Sequence, residues 1–132
     1  MKKIQKFLQK KIIFKNDYNY NNMHYGRPSK KIDIRVDRKS ILGNPYKMKN
    51  ESQRDKVCDM YEIYFNALLN NNQVWMNDHN ITQAFRDNFI RELGRISLIL
   101  EQHGQLNLWC WCCPKRCHSE TIKKYLLRCH SN

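Results

Sequence analysis

Four cysteines, one histidine and two tryptophans lie within ten residues near the end of the chain, at positions 109–118 (WCWCCPKRCH). Thiol and imidazole groups are ligands for soft metal ions, and a thiol beside a base can act as a nucleophile. This spacing therefore points either to metal binding or to cysteine chemistry. We expect the functional centre of the protein in this segment.

Metal binding is the first hypothesis for these residues. Cys110, Cys112, Cys117 and His118 form a C-x-C-x4-C-H pattern, which supplies four ligands of the types that tetrahedral Zn²⁺ accepts. Alternation along a strand places Cys110 and Cys112 on one face, so their thiolates can converge. Cys117 and His118 are harder to bring to one ion, because neighbouring residues at a helix start point about 100° apart. Zinc is the one cofactor that the sequence indicates.

A reactive cysteine is the competing hypothesis, with Cys117 and His118 as the catalytic pair. Cys117 lies at or just before the first turn of the last predicted helix, where free amide groups and the helix dipole favour a thiolate. Lys115 and Arg116 add positive charge there. His118 is a candidate base or phosphate donor, although adjacent positions do not by themselves establish a hydrogen bond between nucleophile and base.

Two upstream turns carry side chains suited to a bound anion. They are YGRPS at residues 25–29 and LGNPY at residues 42–46, in which glycine and proline favour tight loops. Arg27, Ser29 and Asn44 are the candidate ligand-binding residues. With Cys117 and His118 they would complete a cradle for a phosphate group.

Each of these residues also has a purely structural interpretation. Cysteine is among the most buried residue types, so we assign Cys58 to the core, and Cys110 and Cys112 can serve the same purpose. Arg27 can pair with a nearby aspartate, Asp33 or Asp37, and the Asn44 side chain can satisfy only its own turn. Both tryptophans of the cluster are more typical of packing between sheet and helix than of stacking on bases.

Three strands are expected to position the site. Residues 10–15 (KKIIFK) are β-branched and aromatic, and residues 106–111 (LNLWCW) alternate in polarity. Residues 32–36 alternate apolar and charged side chains, which indicates an exposed edge strand or a hairpin arm.

Helices are expected between and after these strands. One begins near Ser52, a plausible N-cap, and a second covers residues 82–100, where Gly94 weakens the middle and can break it. Residues 75–80 are expected to form a loop, and the last helix to cover residues 119–129. The element order favours an α/β fold whose strand-end loops collect the site.

We therefore predict a small single-domain α/β sandwich of two or three layers, with a mostly parallel sheet and about three helices. It covers residues 10–132 and follows a basic arm at residues 1–9. Strands 10–15 and 106–111 should be parallel neighbours, because both have the composition of strands buried on two faces. One pocket should be surrounded by Arg27, Asn44, Cys110, Cys112, Cys117 and His118.

The positive charge is concentrated at one end of the chain. Residues 1–49 contain fourteen Lys and Arg against three Asp, a net charge of +11, whereas residues 50–132 contain ten basic against nine acidic residues, a net charge of +1. Such a basic region favours contact with nucleic acid phosphates, with a merely solvated tail as the alternative. No helix-turn-helix or zinc-finger spacing indicates sequence-specific recognition.

The distribution of apolar residues argues against contact with a membrane. The longest apolar stretches, such as residues 96–100, are far shorter than the roughly 20 residues that span a bilayer. Residues 1–15 interleave lysine with apolar residues and lack the features of a signal peptide. We expect reduced thiols in the cytoplasm or nucleus, with packaging in a virion as a further option, rather than a disulfide framework.

The motifs together resemble the domain of unknown function 4326 family. The resemblance covers about residues 10–128 and includes both turns, Leu93-Gly94-Arg95 and the cysteine-rich ending. The chain departs from the family pattern at Tyr46, Cys113 and Ser119 and by an insertion around residues 70–80; we interpret Ser119 as a helix-capping hydroxyl. The resemblance implies a short single-domain protein of a group found in phages, bacteria and large DNA viruses. It implies the position of the site but no activity.

Two functions follow as alternatives. The first is a small protein that binds a nucleotide or related phosphorylated ligand, either as a binding module or as an enzyme acting on nucleotide or nucleic acid. The second is a non-catalytic, basic nucleic-acid-binding or viral interaction protein whose cysteines are structural, with or without zinc. Convergence of the turns at one sheet edge favours the first, and the charge of residues 1–49 favours the second.

Overall fold

Three parallel strands organise the residues that this computed structural model describes, namely 10–16, 31–112 and 114–131. The strands are β1 (Lys11–Asn16), β2 (Asp33–Arg35) and β3 (Gln105–Cys110). Four helices accompany them: α1 (Arg54–Leu69), α2 (Gln73–Asp78), α3 (Gln83–His103) and α4 (Ser119–Cys129). The predicted α/β class with a parallel sheet is confirmed, with four helices instead of about three. The predicted arm at residues 1–9 lies outside the described residues.

The sheet has the strand order β1-β3-β2, so β3 is central. Ile12 of β1 is in register with Leu106, and Ile34 of β2 with Leu108. The prediction that the first and last strands are parallel neighbours is therefore confirmed. The sequence left two alternatives for residues 32–36, an edge strand or a hairpin arm. Residues 33–35 form an edge strand. All three strands end at the same edge of the sheet, since Asn16 is in register with Cys110 and Arg35 with Trp109.

Helices α1 and α3 cover the sheet with aromatic and aliphatic side chains. The α3 helix packs on β3, and α1 packs on α3 and α4. Tyr61, Phe65 and Phe89 are fully buried between them. Cys58 is 5% exposed on α1, as the core assignment predicted. Burial of a side chain of this size contributes about 1.5–3 kcal/mol, so these residues hold the helices against the sheet.

The start of α1 differs from the sequence prediction. Asn50, and not Ser52, supplies the capping side chain, and it caps the 3₁₀ turn before the helix: its Oδ1 atom accepts a hydrogen bond from the Ser52 backbone N–H at 3.0 Å. A short 3₁₀ turn, Glu51–Gln53, then leads into the helix.

The predicted loop at residues 75–80 is wrong, because most of that segment belongs to α2. The Asn72 side chain caps this helix by accepting from the Trp75 N–H at 3.1 Å, and Met76 anchors it in the core. The α3 helix also continues unbroken through Gly94, which is exposed and has open space around it. It ends only at Gly104, whose φ of 74° is accessible to glycine at little cost.

Candidate functional site

A pocket opens where β2 and β3 end. It contains about 460 Å³ of space between protein atoms, part of it open to solvent. Much of its wall is formed by the last residue of β3, by side chains that follow the two strands and by one that precedes α4: Cys110, Asp37, Arg38, Trp111, Cys112 and His118. The carboxyl edge of a parallel sheet is the usual ligand-binding position in α/β proteins, because loops diverge there.

The turn at residues 42–46 forms a second wall of the pocket and is held rigidly. The Asn44 side chain accepts from the Tyr46 N–H at 2.9 Å and donates to the Val57 carbonyl of α1 at 3.0 Å. A Cβ atom on Gly43 would lie 2.3 Å from the carbonyl oxygen of Asp37. The Asn44 side-chain amide therefore stabilises its own turn, as the structural interpretation predicted. The residue also lines the pocket.

His118 connects the end of β2 to the start of α4. Its Nε2 atom lies 2.5 Å from the Val36 carbonyl oxygen, and its Nδ1 atom lies 3.3 Å from the Cys117 sulfur. Because a carbonyl only accepts hydrogen bonds, Nε2 carries the proton. Burial lowers the pKa of His118, so the ring is neutral at neutral pH and Nδ1 keeps a free lone pair. The adjacent residues thus make the nucleophile–base contact that sequence alone left open.

Three thiols meet beside this imidazole. The sulfurs of Cys110 and Cys117 lie 3.2 Å apart, and both side chains are almost completely buried. Hydrogen bonds from the Cys110 and Cys117 thiols lower the pKa of Cys112, and the Arg54 guanidinium adds to this effect. The same thiol contacts, together with burial, raise the pKa of Cys117. These contacts therefore favour ionisation of the Cys112 thiol over that of the Cys117 thiol, in contrast to the sequence expectation.

Arg54 is the functional-site residue that sequence analysis missed. It lies on the first turn of α1 and bonds both carboxylate oxygens of Glu51 at 2.8 Å and the Arg116 carbonyl at 2.9 Å. These bonds hold its guanidinium beside Cys112. No sequence motif marks it, because 58 positions separate it from Cys112.

The basic residues next to Cys117 have a different role from the predicted one. Arg116 bonds the carboxylates of Asp55 and Asp59 on α1 at 3.0 and 2.8 Å. Lys115 lies 3.2 Å from Glu51. Both charges thus face acidic side chains and hold the segment after β3 against α1 and the 3₁₀ turn before it, instead of favouring a thiolate at Cys117.

The first turn of α4 also departs from the expectation. Ser119 is the first helical residue and is fully buried, with its hydroxyl 3.8 Å from the Cys110 sulfur, so it is not the capping group. Glu120 instead accepts from the Cys117 N–H at 3.1 Å, and the Cys117 sulfur accepts from the Ser119 N–H at 3.5 Å. The N-terminal amides of the helix are thus directed toward Cys117.

Within residues 10–16, 31–112 and 114–131, no group of three or more His, Cys, Asp or Glu side chains is arranged to hold a metal ion. Both ring nitrogens of His118 have protein partners, Val36 and Cys117. The zinc set of Cys110, Cys112, Cys117 and His118 stays a prediction, and the hydrogen bonds give these side chains another role.

Four of the six predicted pocket residues line the same pocket, namely Asn44, Cys110, Cys112 and His118. Cys117 lies behind them in contact with Cys110 and His118. Arg27 and Ser29 lie outside the described residues, and so does any pairing of Arg27 with aspartate.

Trp109 and Trp111 have different surroundings, and so do Asp33 and Asp37. Trp109 donates to Asp33 at 3.1 Å, as expected for a packing residue, whereas Trp111 is 48% exposed and lines the pocket. Asp37 is buried and receives the Arg35 guanidinium at 2.8 Å.

Comparison with protein families gives one match, to the family described as Domain of unknown function (DUF4326), over residues 21–128. Comparison with curated proteins and with solved structures gives no match. Among the helices described, none combines the length and the apolar character needed to cross a membrane.

Proposed function

We propose that this chain, which belongs to the domain of unknown function family DUF4326, binds a small phosphorylated ligand of the nucleotide class. The ligand would occupy the pocket at the carboxyl ends of β2 and β3. The observation that carries the proposal is the presence of a cationic side chain, Arg38, and an exposed aromatic ring, Trp111, on the wall of one strand-end pocket. A phosphate and a base would each have a partner there.

Arg38 is the phosphate-binding candidate. Its guanidinium nitrogens lie 3.4 and 3.3 Å from the carbonyl oxygens of Asn44 and Tyr46, which are long hydrogen bonds. A guanidinium forms shorter and stronger bonds with phosphate oxygens, two at a time. A bound phosphate would therefore gain an oriented partner at little cost to the protein.

Trp111 is the candidate for the ligand's base. Its ring is 48% exposed beside the pocket, and bases stack on such rings with about 1–3 kcal/mol each. These features favour a nucleotide over inorganic phosphate.

Calorimetric titration with nucleoside mono-, di- and triphosphates, the parent nucleosides and inorganic phosphate tests the proposal. Arg38→Gln should weaken nucleotide binding about 10- to 100-fold, the value of a charge-assisted hydrogen bond. Arg91→Gln is the matched control, because Arg91 is exposed on α3, bonds the Asn88 side chain and does not line the pocket. Absence of binding across the panel, or equal affinity in R38Q and R91Q, would reject the proposal.

A second candidate is nucleic acid binding. It is favoured by the charge of +11 in residues 1–49 and by the alternation of β1, which exposes Lys11 and Lys15 on one side. Such a row of lysines suits a phosphate backbone and requires no pocket.

We also propose a reducing compartment, the cytoplasm or nucleus. This proposal is supported by the lack of a disulfide bond among five cysteines that the structure describes: Cys58, Cys110, Cys112, Cys117 and Cys129.

A further inference from the structure

We propose that Ser97 is an activated nucleophile that accepts acyl groups from carboxylic esters. His130 is its base, and Glu101 is the residue that positions the base. None of these three side chains lines the pocket at the ends of β2 and β3, so the activity is independent of any nucleotide there.

His130 bridges the other two side chains. Its Nε2 atom lies 2.9 Å from the Ser97 hydroxyl oxygen, and its Nδ1 atom lies 3.0 Å from a carboxylate oxygen of Glu101. Because an ionised carboxylate only accepts hydrogen bonds, Nδ1 carries the ring proton, and in the neutral ring Nε2 is left to accept the Ser97 proton. Nucleophile, base and positioning carboxylate are thus in the order that activates a hydroxyl group.

Two helices hold this arrangement in place. Ser97 and Glu101 are four residues apart on α3, so they share one face of that helix. His130 directly follows α4, its backbone N–H bonds the Leu126 carbonyl at 3.1 Å, and its side chain is only 9% exposed. The imidazole is therefore fixed between the hydroxyl and the carboxylate.

The Ser97 hydroxyl is directed to its base and borders open space. A serine within a helix often bonds the carbonyl four residues earlier, which here is Leu93. In the part of the chain that the structure describes, the Ser97 hydroxyl bonds His130 instead. Ser97 is partly exposed, and Gly94, one turn earlier on the same face, is exposed with open space around it. Since helical side chains lean toward the preceding turn, an acyl group can approach the hydroxyl over Gly94.

The reaction balances in two steps. Ser97 Oγ attacks the ester carbonyl carbon while His130 Nε2 takes the hydroxyl proton, and the bond to the leaving group then breaks as the departing alcohol takes that proton. Water next attacks the carbonyl carbon of acyl-Ser97 and gives a proton to Nε2. The bond between this carbon and Ser97 Oγ breaks, Oγ takes the proton back, and the carboxylic acid leaves. The net reaction is ester hydrolysis.

Incubation of the full-length protein with a fluorophosphonate, which labels activated serines, followed by peptide mapping tests the assignment. The label should be on Ser97. Ser131 is the internal control, because it is more exposed but its hydroxyl donates to the Arg128 carbonyl at 2.9 Å. p-Nitrophenyl acetate should give a stoichiometric burst of p-nitrophenol, which Ser97→Ala should abolish. Equal labelling of Ser131 and Ser97, or an unchanged burst in S97A, would overturn the proposal.

His130→Gln and Glu101→Gln test the base and its positioning residue separately. His130→Gln cannot take the proton and should slow labelling about 100- to 10,000-fold. Glu101→Gln should lower the labelling rate at saturating probe and leave the half-saturating probe concentration unchanged, because only the orientation of the ring is lost.

A wild-type labelling rate in H130Q would show that His130 merely fastens α4 to α3 and would overturn the proposal. A changed half-saturating concentration with an unchanged maximal rate in E101Q would remove Glu101 from the reaction. If circular dichroism shows that H130Q does not fold, the comparison of Ser97 with Ser131 in the wild type still decides the proposal.

Discussion

Replacement of Gly43 by alanine is predicted to displace the wall of the pocket and to destabilise the protein. A Cβ atom at this position would lie 2.3 Å from the Asp37 carbonyl oxygen and 2.8 Å from the Arg38 Cα, and both are backbone atoms that no side-chain rotation can move. The turn must therefore shift as a unit. The turn carries Asn44 of the pocket wall, and the segment that it would push against carries Arg38.

Two opposing contributions decide whether a glycine-to-alanine replacement raises or lowers the free energy of unfolding. Replacing glycine by alanine reduces the entropy of the unfolded chain, which stabilises by about 0.4–1 kcal/mol where the site has room. Gly94 is such a site, because nothing lies within 4 Å of its would-be Cβ atom on α3. At Gly43, overpacking against the backbone costs typically about 1–3 kcal/mol and exceeds this gain.

Paired urea and thermal unfolding of the two variants measures the difference. Gly43→Ala, with a net cost of up to about 2.6 kcal/mol, should lower Tm by up to roughly 13 °C, and Gly94→Ala should raise it by roughly 1–5 °C, since 1 kcal/mol corresponds to roughly 3–5 °C in a domain of this size. A Gly43→Ala protein as stable as Gly94→Ala would refute the close approach of residues 37 and 43.

Further predictions concern single bonds, charge and pH. Tyr61→Phe removes the 2.7 Å hydrogen bond to the Leu42 carbonyl and leaves a buried acceptor without its partner. The free energy of unfolding in urea titrations should therefore fall by about 1–3 kcal/mol, and an unchanged value would refute the hydrogen bond. Because burial lowers the pKa of His118, the unfolded chain gains the proton first. Stability should fall as pH drops below about 6.5, by up to about 1.4 kcal/mol per pH unit, with a smaller slope in H118N. DNA affinity should decrease steeply with salt, and an unchanged slope after neutralising five basic side chains would identify them as solubility groups: Lys2, Lys3, Lys6, Lys10 and Lys11.

The sequence predicted the parts of the fold that depend on local pattern. The composition of residues 10–15 and 106–111 indicated neighbouring parallel strands. The rule that loops after parallel strands meet at one sheet edge predicted a shared pocket, which Asn44, Cys110, Cys112 and His118 line. The sequence prediction failed at α2, because the asparagine-rich segment looks like a loop until Asn72 is recognised as a cap.

The chemistry of the thiols depended on contacts that are distant in sequence. Arg54 on α1 acts on the thiol of Cys112, and the Val36 carbonyl fixes the proton on His118 from 82 positions away. Local rules assign a lowered pKa to the thiol nearest the helix start, which is Cys117. Burial and two thiol neighbours reverse that order in the folded protein.

The most direct test of the proposed pocket is a nucleotide titration followed by NMR at the indole N–H groups of the three tryptophans. Each of the three is in a different place: Trp75 stacks on His79 on α2, Trp109 bonds Asp33, and Trp111 lines the pocket. Binding at the ends of β2 and β3 predicts that the Trp111 resonance shifts with saturation while the Trp75 resonance stays in place. A saturating titration that moves Trp75 and leaves Trp111 unchanged would contradict the account.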